Sequence, residues 1–195
     1  MSKISITSNA SGTGVFTISS PATSTNRTLT LPDEAGTIIT TAGVPSSAMP
    51  AGSVLQVVQG KLSSSFSTSS TGQVDTGLTA TITASSTSNK ILCFVNLNGI
   101  RTNNTTYNTH IYLLRNGTNL DGVGLSGAFF TYFAATQLSG RVGTVSNMIL
   151  DTPATTSACT YKIQFATESA SSTSYLNDQA SFLTPSTIIL MEIAG

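Results

Sequence analysis

Apolar and polar positions alternate with a period of two through most of this chain. No stretch of helical length, about 11 residues or more, repeats with helical spacing. Tyr161, Ile163 and Phe165 alternate with Thr160, Lys162 and Gln164, as in a strand with one dry face and one wet face. Turn signals recur about every 8–12 residues, the rhythm of a sandwich or barrel. Thr and Val dominate between the turns, and β-branched side chains fit a pleated sheet better than a helix. From Ser53 onward the pattern predicts strands near Ser53–Gln59, Leu62–Ser67, Gly77–Ala84, Lys90–Asn98, Thr109–Arg115, Gly127–Ala134, Val142–Leu150, Cys159–Thr167 and Thr187–Ile193. Asn116-Gly117 supplies the positive φ values of a two-residue type I′ hairpin turn.

Two segments depart from this pattern. The run Ile188-Ile189-Leu190-Met191-Glu192-Ile193 is apolar on both faces. Such a strand belongs inside a sandwich, or between a sandwich face and a neighbouring subunit. Ile188, Leu190 and Ile193 are therefore expected at an oligomer interface. Residues 1–43 form very short alternating runs, such as Ile4-Ser5-Ile6-Thr7 and Val15-Phe16-Thr17-Ile18. Two or three apolar side chains per run do not offset the entropy of ordering the backbone. This segment is expected to fold only against other copies or a partner surface. Residues 44–52, bracketed by Pro and Gly, read as a linker. Residues 53–195 form the main domain.

Composition narrows the functional classes. The 195 residues carry 8 Lys+Arg, 8 Asp+Glu and one His, and charged residues make up 8% of the chain. An ordinary domain has about 25%. Ser and Thr make up about a third. Net charge zero leaves no electrostatic footprint for nucleic acid or for an anionic membrane. The longest apolar runs, such as Ile91–Val95, are far too short to span a bilayer. The N-terminus has no apolar core of signal-peptide length. The composition reads as ordered β-structure with an uncharged, hydroxyl-bearing surface.

Catalytic chemistry finds little support. His110 alternates with apolar neighbours and reads as a half-buried strand residue hydrogen-bonded to a neighbour. One His does not supply a usual zinc or iron set, and no cofactor is implied. Gly122-Val123-Gly124-Leu125-Ser126-Gly127 has the letters of a dinucleotide fingerprint, but it follows a hairpin and precedes a strand-like run. It reads as a loop, since that chemistry needs a parallel strand and a helix N-terminus. Cys93 and Cys159 read as small buried hydrophobes, with a disulfide between neighbouring strands as the alternative. Glu192 is an acid inside an apolar strand. Its expected fate is a buried or interfacial ion pair, with Arg115 the leading partner and Arg101 and Arg141 the alternatives. Uncharged amides and aromatics supply the hints of binding. Asn103, Asn104, Tyr107, Phe130, Tyr132 and Tyr175 are candidate contacts with a neutral polar surface such as a saccharide.

Gly12–Ile18, Pro21-Ala22-Thr23, Thr28–Pro32 and Ala35–Gly43 together resemble a module of bacteriophage tail-fibre and other virion structural proteins. Lys90-Ile91-Leu92, Leu114–Gly117, Tyr161–Phe165 and the ending Ser186–Ile193 look like the terminal domain of such proteins. The resemblance implies an all-β homotrimer with a jelly-roll-like antiparallel β-sandwich head. It implies a non-enzymatic virion component, assembled in the host cytoplasm. Residues 1–43 would bind other virion proteins, and the head would adhere to a host-surface saccharide. A capsid decoration or head-fibre protein of the same build is the alternative. A glycan depolymerase and a cellular lectin-like module are weaker rivals.

Overall fold

The alternation seen in the sequence becomes two antiparallel sheets packed face to face. The computed structural model describes residues 11–15, 17, 22–26, 28, 48–104, 106–120, 130–132, 143–178 and 185–195. In chain order the strands are β1 (Val54–Leu62), β2 (Phe66–Thr68), β3 (Val74–Thr83), β4 (Lys90–Thr102), β5 (Thr109–Arg115) and β6 (Thr118–Asn119). They continue with β7 (Phe130–Tyr132), β8 (Gly143–Asp151), β9 (Ala158–Thr167), β10 (Ser174–Leu176) and β11 (Ser186–Ile193). One sheet runs β1-β11-β4-β10-β2, with β8 also paired to β4. The other runs β3-β9-β5-β6, with β7 also paired to β5. The pairs are antiparallel, and no helix occurs among the described residues. The all-β sandwich expected from the alternation is the observed fold.

Period-two burial explains the core. Ile91, Cys93 and Val95 of β4 and Ile188 and Leu190 of β11 point inward from the first sheet. Ile111 and Leu113 of β5 and Tyr161, Ile163 and Phe165 of β9 meet them from the second. Phe66 packs edge-on against Phe165, with centroids 6.0 Å apart. This overturns one expectation. Ile188 and Leu190 are fully buried inside a single chain and are not available to a neighbouring subunit. The other parity of β11, Ile189, Met191 and Ile193, faces outward and stays half-buried.

Strand β5 has the expected bounds, and the β5–β6 hairpin turns at Asn116 (φ 49°) and Gly117 (φ 86°). The segment Leu62–Ser67 differs. Strand β1 continues through Leu62, and only Phe66–Thr68 form β2. Strand β10 contains Tyr175, in a stretch where the pattern predicts no strand. The Gly122–Gly127 loop and Arg141 lie outside the described residues, as do most of residues 1–43. The chain divides into two units, Met1–Ile38 and Ile39–Gly195. In the first, the Thr25 amide donates to the Thr23 hydroxyl at 3.1 Å, and Val15 is 91% exposed.

The two sheets approach closely where β1 passes β3. A Cβ placed on Gly60 would lie 2.0 Å from the Thr79 carbonyl oxygen and 2.8 Å from Ile188 Cγ2. The obstacle is backbone, so no side-chain rotation relieves it. Gly60→Ala is expected to destabilise the fold by about 1–3 kcal/mol through overpacking. Gly72→Ala, whose Cβ would meet only Ser70 Oγ at an ordinary 3.6 Å, should change stability by no more than about 0.5 kcal/mol. Thermal or urea unfolding of both variants checks this, and equal melting curves would remove the close approach as a constraint.

Candidate functional site

Of the candidate contacts, Asn103, Asn104 and Tyr175 collect where the far end of β4 meets β10. Gly99 makes this end. Its φ is +63°, and a Cβ there would lie within 3.0 Å of the Asn177 and Asp178 backbone. The β4–β8 register shifts between Leu97 and Ile100, so a bulge forms here. The bulge lets the Asn177 amide donate to the Asn98 carbonyl (2.9 Å) and the Asp178 amide donate to the Gly99 carbonyl (3.1 Å). Asp178 is thereby held beside β4, where its carboxylate binds the Arg101 guanidinium. Arg101 and Tyr175 are register partners, and the guanidinium carbon stands 3.9 Å from the Tyr175 ring centre. Opposite charge and the negative face of the ring both favour the cation here.

Amide and hydroxyl groups build the rest. The Asn103 amide donates to the Thr173 carbonyl (3.1 Å), and the Thr173 amide donates back to Asn103 Oδ1 (2.7 Å). The Thr102 and Ser172 hydroxyls share a hydrogen bond of 2.7 Å. The Thr106 amide donates to Asn104 Oδ1 at 2.8 Å, the side-chain-to-backbone turn that Asn favours. Asn108 donates through its amide and its side chain to Glu168 Oε2, at 3.0 and 2.8 Å. The loop 103–108 is thus tied to the turn before β10.

The structure brings Asn103, Asn104 and Tyr175 together. Tyr107 belongs to the same loop and is half-buried. Phe130 and Tyr132 are on β7 in the other sheet, opposite Ile111 and Thr109 of β5. Arg101 and Asp178 are members that sequence reasoning did not assign to binding. Their only signals were charge rarity and proximity to predicted turns. The arrangement offers an aromatic ring, a paired cation and a set of neutral donors and acceptors.

The buried acid Glu192 does not pair with Arg115. Its Oε1 accepts from the Ser85 amide (2.6 Å), the Ser85 hydroxyl (2.8 Å) and Asn89 Nδ2 (2.6 Å). Its Oε2 accepts from Gln56 Nε2 at 2.6 Å. Neutral donors satisfy this carboxylate because the turn between β3 and β4 folds over it. Arg115 instead forms two 2.6 Å bonds to Asp151, which also accepts from the Tyr161 hydroxyl at 2.6 Å. That trio links β5 and β9 of one sheet to β8 of the other. Burial and the bond to Asp151 push the Tyr161 hydroxyl well above its ordinary range.

Cys93 and Cys159 are free and buried. Burial, with the Asp151 charge adding, pushes the Cys93 thiol up to about 12, so it is not a thiolate nucleophile near neutral pH. His110 is half-buried, but its Nδ1 has no hydrogen-bond partner among the described residues, where a bonded His is expected. No three His, Cys, Asp or Glu side chains gather as a metal site among the described residues. A shallow cavity of about 150 Å³ is lined by Asp75, Gly77, Leu78, Thr79, Lys162 and Ile163. Its walls include the Lys162–Asp75 ion pair at 2.8 Å, so its charges are already paired. No family model matches the chain, and no curated protein matches it.

The Glu192 clamp has a pH signature. Burial pushes the carboxyl up, but the bonds from Asn89, Gln56 and Ser85 outweigh it and hold it below the ordinary 4.5. A depressed folded value adds stability above the unfolded value, and that stability is lost as pH falls through the folded one. Wild type should therefore weaken as pH falls below about 4.5. Glu192→Gln should cost about 1–3 kcal/mol at pH 7, from donors left unpaired, and should flatten part of the acid dependence. Urea midpoints from pH 3 to 7 check both; parallel curves for the two proteins would contradict the clamp.

Proposed function

We propose that this chain is a non-enzymatic bacteriophage virion protein, a homotrimeric tail-fibre-like appendage. Residues 1–43 attach it to other virion proteins, and the sandwich head adheres to a saccharide on the host surface. The observation that carries the adhesion reading is the placement of Asn103 and Asn104 beside Tyr175 and Arg101 at one end of the head. Saccharides present C–H faces and neutral hydroxyls. An aromatic ring covers the first, while amides and a guanidinium bond the second. The hydroxyl-rich, uncharged composition suits the same partner. The attachment role rests on the resemblance of residues 12–43 to tail-fibre modules, and on how little apolar surface those short runs can bury alone.

Antibody against the head should label intact particles at a tail appendage. Dense labelling over the whole capsid would transfer the protein to a decoration role, and unlabelled particles would reject a virion role. Purified full-length protein should bind host envelopes, and Tyr175→Ala combined with Asn103→Ala should weaken that binding about tenfold or more, as loss of an aromatic anchor does. Circular dichroism controls for folding. Release of sugar fragments from the envelopes would overturn the non-enzymatic assignment.

A further inference from the structure

Among the described residues of the sandwich, the exposed large apolar side chains lie on one of its two outer faces. On the second sheet, Asp75 stands opposite Gln164, Thr79 opposite Lys162, and Thr81 opposite Thr160. That part of the face is wet, while farther along it Tyr112, Leu114 and Ala166 form a small buried apolar cluster. On the first sheet, one row across four strands reads Val57, Met191, Leu92, Leu150. The next row reads Gln59, Ile189, Phe94, Met148. Residues opposite one another in an antiparallel pair share a face and touch, so these rows form one apolar patch. Val57 is 57% exposed, Met148 61% and Leu150 50%. With their half-buried neighbours they present apolar area on the order of 500 Å², near the upper end for a monomer's largest patch. A stable interface buries roughly 800 Å² per partner, so the patch supplies a large part of one.

We infer that the outer face of the β1-β11-β4-β8 sheet is the surface by which this chain binds a second copy of itself. This deepens the self-association in the proposed function and rests on it. Three observations favour a second copy. The two rows carry no charged side chain. Homomeric interfaces are richer in apolar area than the surfaces used by transient partners. Strand β8 pairs only with β4 among the described residues, and Gly143–Leu150 has no charged residue to guard its edge. The patch and the edge are continuous, and copies arranged about a common threefold axis, each turning this face toward it, cover both. The register also explains why Ile189 and Met191, rather than Ile188 and Leu190, serve this role.

Sedimentation of the full chain at micromolar concentration tests this. Wild type is expected to be oligomeric. Met148→Lys with Leu150→Lys, both at exposed positions, is expected to weaken association at least 100-fold. Thr81→Lys with Thr83→Lys, on the opposite face, is expected to leave it intact. If the patch variant does not fold, peroxide oxidation of wild type replaces it, with Met148 shielded at high concentration and oxidised on dilution. A wild-type oligomer that the patch variant leaves unchanged overturns the inference, as does concentration-independent oxidation of Met148. A monomeric wild type overturns it too. In that case a shielded Met148 assigns the face to residues 1–47, and a reactive one leaves it uncovered in the purified protein. Particle labelling is read separately, so an interface that fails on a protein that labels virions leaves the virion reading standing.

Discussion

Strand β11 lies between β1 and β4 and pairs with both, and its register decides what the rest of the sandwich can be. Leu190 stands opposite Val58 on one side and Cys93 on the other. A slip of one residue would turn Ile189 and Met191 inward and expel Ile188, Leu190 and Glu192, because side chains alternate with period two. Both ends of the strand are pinned against such a slip. At one end Glu192 accepts four hydrogen bonds from neutral donors. At the other the Ser186 hydroxyl donates to Asn177 Oδ1 at 2.7 Å and accepts from the Asn98 amide at 2.9 Å. Asn177 in turn donates to the Leu62 and Ser64 carbonyls at 2.9 and 3.0 Å. A shifted strand would leave these buried groups unpaired, and each unpaired group costs about 1–3 kcal/mol.

The few charges act at short range. Asp151 joins Arg115 and Tyr161 across the two sheets, Arg101 joins Asp178, and Lys162 joins Asp75. With net charge zero, no long-range field steers a partner. Among the described residues, the sandwich presents an apolar outer face on the β1-β11-β4-β8 sheet and an amide-rich end at Asn103 and Tyr175.

Much of the head was legible before any coordinates. Alternation in Cys159–Thr167, the Asn116-Gly117 turn and the strand Thr109–Arg115 rest on local rules, and local rules held. Asn103 and Asn104 were also legible, because amides between two strand signals mark a loop. Arg101 and Asp178 were not. Their meeting depends on a bulge at Gly99 that shifts the parity of β4, and on Asp178 docking there from the end of the neighbouring strand β10. A period-two reading carries no information about where a register breaks. Short β10 was missed for a related reason: three residues are too few to establish alternation.

The sequence by itself determined that this chain makes sheets, where most of its strands lie, and that β11 has two apolar faces. Those properties follow from side-chain shape and nearest-neighbour spacing. Only the tertiary structure decided which of the two faces of β11 is the core, and which donors hold Glu192. Both choices are made by residues distant in the chain: Gln56 on β1 and the turn after β3 surround Glu192, while β3 of the other sheet packs over β11. Contact across the sandwich is a property of topology, and alternation looks the same from either side of a strand.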